Sequence, residues 1–127
     1  MRGRDGAALS ARLLLAVIFF TSSIAKIGSW SGNVEYVRSH HVPLPSIALA
    51  AALAVELATW ISLATGFGAR PAAAVGFLYM IPVTFVFHSF FSTSFQKNLG
   101  IMGGLLMVAA FGPGAFALGR RARETPD

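Results

Sequence analysis

Four apolar runs constrain this chain more than any other feature. They cover about residues 7–28, 44–66, 71–91 and 97–118. Each is near the roughly 20 residues that a helix needs to cross a bilayer core. In hydrocarbon every backbone N–H and C=O must be satisfied within the spanning segment, so runs of this length become helices. Composition agrees: of 127 residues, 55% are hydrophobic and 12% charged, and the mean hydropathy is +0.67. A soluble domain carries about 25% charged residues. The expected fold is an all-α membrane protein, a single domain over residues 1–127 with four transmembrane helices in an antiparallel bundle. The first run reads as a retained span rather than a cleaved signal, because no clean small-x-small site follows it and three further runs do.

The basic residues set the expected orientation. With alternating spans, Arg2, Arg4, Arg12, Arg70, Arg120, Arg121 and Arg123 fall on one side, and Lys26, Arg38 and Lys97 on the other. Cytoplasmic loops collect arginine and lysine, so both termini are expected in the cytoplasm. The net charge of +5 is explained by this flanking of apolar runs. No basic surface with interleaved aromatics is present to bind nucleic acid. The chain has no cysteine, which excludes disulfides, c-type haem attachment and cysteine-held clusters within it.

Glycine and proline punctuate the runs. Gly66 and Gly68 permit a tight turn in "GFGARP", and Pro71 suits the first helical position after it. Pro82 is expected to bend the third span. "FGPGAF" is expected to stop the fourth near Pro113, leaving a regular part of about 15 residues. The stretch "SWSGNVEYVRSHHVPLP" reads as a long outer loop, with Trp30 and Tyr36 at the membrane interface. The ends, Met1 to Gly6 and Ala122 to Asp127, read as disordered tails. Ala50, Ala54 and Ala58, like Gly100 and Gly104, recur at four-residue spacing. This permits close helix packing within the chain or a face for a second copy.

Glu56 is the only formal charge between Val42 and Ala69. A carboxylate at the bilayer centre costs on the order of 2.5–3.5 kcal/mol on insertion scales, so it faces the bundle, pairs or takes up a proton. Lys26 is the base best placed to approach it. Lys26, Ser22, Ser23, Thr84, His88, Lys97 and Asn98 fall toward the outer half and Glu56 near the middle of its span, whereas the inner half is apolar except for Arg12. A polar cavity opening outward follows. Its expected ligand-binding residues are Lys26, Glu56, Trp60, Phe85, His88, Asn98 and Met102, and Glu56 and His88 are candidates for proton transfer. Glu56 has a structural alternative, a hydrogen bond that ties helices together. His40, His41 and His88 would hold haem or a metal only if the outer loop folded back. No HExxH, GxSxG or phosphate loop is present, so neither a metal nor haem is expected.

The chain resembles the DoxX family of small four-helix bacterial membrane proteins from about Arg12 to Arg120. The resemblance rests on "RLLLAVIFFTSSIAKI", the "HVP" of the outer loop, "VELATWISLATGFGARPAA", "FVFHSFF" and "KNLGIMGGLLMVAAFGPGAFAL". In the last of these, Asn98, Gly103-Gly104 and Gly112-Pro113-Gly114 fall in the family's order and spacing. Family members often carry an aspartate where this chain has Ala117-Leu118-Gly119. The resemblance implies a membrane redox or oxidative-stress setting. The leading expectation is an accessory subunit that binds a quinone or a lipid, with other complex subunits or a second copy as partners. Alternatives are a noncatalytic assembly protein or a small transporter. Whether the chain is itself an enzyme is open at this level.

Overall fold

The computed structural model describes residues 2–119. Among them are five α-helices and no strand: α1 (Arg2–Gly28), α2 (Trp30–Ser39), α3 (Pro45–Thr65), α4 (Ala69–Phe87) and α5 (Thr93–Phe111). Three are long and apolar enough to cross a membrane: Gly3–Gly28 within α1, then Pro45–Thr65 and Ala69–Phe87. The fourth apolar run forms α5, whose first turns carry Gln96, Lys97 and Asn98 and so dilute its hydropathy.

Helix ends differ from the sequence expectation in ways that have local causes. α1 begins at Arg2, so the expected tail over residues 2–6 is helical. Asp5 lies in its first turn, where a carboxylate complements the helix dipole, and its Oδ1 accepts the Ala115 amide at 3.2 Å. The expected tail from Ala122 to Asp127 lies outside the described residues. α4 closes at Phe87 rather than residue 91, with His88 extended beyond it. Pro71 is the third residue of α4, and the helix runs on through Pro82. α5 begins at Thr93 because Ser92 caps it, its hydroxyl accepting the Phe95 amide at 3.2 Å. It is 19 residues long and stops at Phe111, immediately before Gly112-Pro113-Gly114.

The expected outer loop is largely the helix α2. Only its Val34 and Val37 are buried, packing with Leu49 of α3. The long helices pack in the order α1, α3, α4, α5, with α1 and α5 meeting only sparingly. Their shared core holds Phe19 of α1, Leu63 of α3, Ala73 and Met80 of α4, and Leu105 of α5. Two close approaches rely on glycine. A Cβ on Gly76 would stand 3.1 Å from Thr59 Cγ2, and one on Gly104 would stand 3.0 Å from Leu15 Cδ2.

At the end of the molecule opposite α2, polar groups of the helix ends meet across an apolar core. The last turn of an α-helix leaves carbonyls without partners. In α3, Ser62 O accepts the Gly66 amide at 2.7 Å and Thr65 O accepts the Leu118 amide at 2.8 Å. Leu63 O accepts Arg12 Nη1 at 2.8 Å. Arg12 Nη2 also donates to Phe116 O, and the residue is 1% exposed. Arg70 Nη2 donates to Ala110 O at the end of α5, 3.0 Å away. Arg12 and Asp5 thus hold the segment after α5 across this end, and Arg70 holds the last turn of α5 itself. Gly66 lies at φ 82°, and a Cβ there would collide with Ala117.

Candidate functional site

Glu56 sits on the inward face of α3 and is 3% exposed. Its Oε2 pairs with Lys26 Nζ of α1 at 2.9 Å. The same oxygen accepts the Tyr79 hydroxyl of α4 at 2.5 Å. Lys26 Nζ also donates to Ser22 Oγ, one turn back on its own helix, at 2.8 Å. One carboxylate therefore joins three helices. Desolvation explains the arrangement: hydrocarbon offers a buried carboxylate no hydrogen bonds, so the neighbouring helices supply them. Among the described residues Glu56 Oε1 has no hydrogen-bond partner, and neither has Trp60 Nε1, one turn further along α3. Sequence reasoning named Lys26 and Glu56 but missed Tyr79. The signal was a hydroxyl-bearing aromatic inside an apolar run, which hydropathy counts as apolar.

Beside this cluster lies a cavity of about 430 Å³. Lys26, Glu56, His88 and Asn98 all line it. His88 reaches it because α4 has just ended and the backbone there is extended. Ile18, Phe19, Ala52, Met80, Val83 and Val86 make its walls largely apolar. At the α2 end, Asn33, Tyr36 and Val37 overhang it, and Tyr36 stacks on Phe87 with centroids 5.5 Å apart. His40 packs on the same Phe87 ring at 4.8 Å, its Nδ1 2.8 Å from Tyr36 O.

Trp60, Phe85 and Met102, expected beside the ligand, do not line the cavity. Trp60 is one turn past Glu56 and packs edge-on against Phe20 of α1 at 5.1 Å. Phe85 is 57% exposed and meets Phe95 at 5.2 Å. It lies two residues from Val83, which on a helix is a different face. Met102 is one turn deeper than Asn98, already against the core, where its sulfur receives the Thr84 hydroxyl at 4.0 Å. Among the described residues no three histidine or acidic side chains gather as a metal site. A second hollow, of about 580 Å³, lies at the opposite end between the Gly66–Gly68 turn and Gly112–Gly114.

Residues 7–89 match the DoxX family. The chain is similar to the inner membrane protein YqjF of Escherichia coli (strain K12), 33% identical over 124 residues, which cover 91% of this chain and 92% of that one. It is also similar to the inner membrane protein YphA of the same organism, 30% identical over 123 residues, or 89% and 88% of the two chains. No solved structure matches it.

Proposed function

The chain belongs to the DoxX family, and from that premise we propose that it is an accessory subunit of a membrane redox or stress-response complex, holding a quinone or a lipid beside Lys26, Glu56 and Tyr79. The observation that carries this reading is the 430 Å³ cavity, whose apolar walls converge on a few polar groups. That is the usual make-up of a small-molecule site. It is a multi-pass inner-membrane protein, and in this reading α5 is its fourth span. The four long helices alternate in direction, the Arg12 end faces the cytoplasm and the α2 end faces outward. A small transporter fits less well, because Arg12, Arg70 and Asp5 tie the far end together.

Two measurements check these statements. Cysteines placed at Gly3 and at Arg38 give single labelling sites, since the chain has no other cysteine. An impermeant thiol reagent on intact cells should label the Arg38 site and spare the Gly3 site. The reverse pattern overturns the orientation. For the ligand, decyl-benzoquinone should quench the tryptophan fluorescence of the purified protein saturably. Ala52→Phe, which fills the cavity from α3, should abolish that quenching while leaving the unfolding temperature near wild type. Saturable binding that Ala52→Phe does not weaken would put the ligand elsewhere. No binding at all would favour the alternative, a noncatalytic assembly protein in which Glu56 serves only to tie helices.

A further inference from the structure

The cavity walls are uneven. α1 contributes Ile18, Phe19, Ser22 and Lys26 to them, whereas α5 contributes only Asn98. These two helices also share the sparsest packing among neighbouring long helices. Where they do meet, the contact is tight: a Cβ on Gly104 would stand 3.0 Å from Leu15 Cδ2. Gly100 is four residues earlier, on the same face of α5 and one turn nearer the α2 end. A Cβ there would meet nothing within 4 Å. The seam between α1 and α5 is therefore closed at Leu15 and Gly104, and open one turn further toward the cavity. Ile18 marks the edge of that opening, since it lines the cavity and is also 39% exposed. Along the molecular axis, by contrast, α2 overhangs the cavity with Tyr36 and Val37.

The polar groups at the end of this passage discriminate by charge. Lys26 Nζ already donates to Glu56 Oε2 and Ser22 Oγ. An ammonium has three donors, so one remains for a ligand. The charge of Lys26 is balanced by Glu56, and among the described residues no other lysine or arginine lines the cavity. An anionic head would therefore enter apolar surroundings without a counter-charge, which is costly. A carbonyl or hydroxyl head needs only the remaining donor.

Given the ligand-binding reading above, on which this rests, we infer that an uncharged amphiphile with a hydrogen-bond-accepting head reaches Lys26 sideways from the bilayer, through the gap between α1 and α5 at Gly100. The head lodges at Lys26 and the apolar body trails past Ile18 into lipid.

The test uses the full chain in phosphatidylcholine nanodiscs, with decyl-benzoquinone as the uncharged probe and dodecanoate as the anionic one. Association is followed by stopped-flow quenching of tryptophan fluorescence for the quinone, and by its displacement for dodecanoate. Gly100→Phe places a ring in open space, so it should fold normally and slow association by about tenfold or more. Leu106→Phe, on another exposed face of α5, should leave the rate unchanged. Gly100→Phe at wild-type rate overturns the lateral passage while the binding site stands. Dodecanoate competing as strongly as the quinone overturns the selection by charge. Failure of the wild type to bind the quinone overturns the binding reading itself, and the passage with it. If Gly100→Phe lowers the unfolding temperature, cysteines at Ile18 and Gly100 joined by a reducible crosslinker replace it. Binding should then be slow until reductant is added, and a crosslinked protein that binds at the uncrosslinked rate overturns the passage.

Discussion

Glu56→Gln lowers the stability of the detergent-solubilised protein by about 3 kcal/mol, the lower range for breaking half of a buried pair. The glutamine keeps the shape and can still accept from Tyr79, but Lys26, whose side chain is only 17% exposed, loses its counter-charge. The new amide nitrogen replaces Glu56 Oε1, which makes no hydrogen bond among the described residues. Lys26→Met is also destabilising, since it leaves the carboxylate with the Tyr79 hydroxyl alone. The double variant recovers most of both losses, because two neutral groups need no counter-charge. Thermal unfolding of all four proteins forms a double-mutant cycle, with an expected coupling of about 2 kcal/mol. Strictly additive losses would mean that the 2.9 Å contact contributes nothing of its own.

Arg12→Met produces the second large effect. Leu63 O and Phe116 O each lose the donor that Arg12 provides. A buried polar group left without its partner costs about 1–3 kcal/mol. This applies to the buried Leu63 contact, whereas Phe116 is 52% exposed and its carbonyl can turn to water, so a loss of about 2 kcal/mol is expected. Removal of a desolvated charge offsets part of this but restores neither hydrogen bond. Arg12→Lys should fall between, because an ammonium on a flexible stem does not reproduce the planar fork that meets two acceptors at once. Chymotrypsin cleavage after Phe116 offers a local readout. It should speed up in Arg12→Met and not in Glu56→Gln, whose defect lies at the other end of the molecule. Equal cleavage in the two variants would show that Arg12 does not hold this segment.

Hydropathy and the glycine and proline positions made the helical content readable. The turn between α3 and α4 lies at Gly66 and Gly68, both left-handed, and α5 stops before Pro113. α2 was not readable, because its ten residues are mostly polar and a helix that short is marginal in isolation. Its Val34 and Val37 become a helical stripe only when Leu49 is there to cover. Arg12 illustrates the same limit. As one of several arginines near the ends of apolar runs, it looked like a marker of orientation. In the fold, α1 brings it beneath the carboxyl end of α3, where carbonyls lack partners.

For the site, the sequence by itself determined that a lone carboxylate within an apolar run needed a partner, and it limited the nearby base to Lys26. Which oxygen Lys26 meets, and that Tyr79 shares it, were decided by how α1 and α4 rotate against α3. The same rotation turned Phe85 outward, set Trp60 against Phe20 and placed Met102 in the core instead of the cavity. The physical reason is range. Hydropathy and turn chemistry act between residues close in the chain, so they survive in a one-dimensional reading. A cavity wall is assembled from residues tens of positions apart, and a helix rotated by one residue, 100°, replaces that wall entirely.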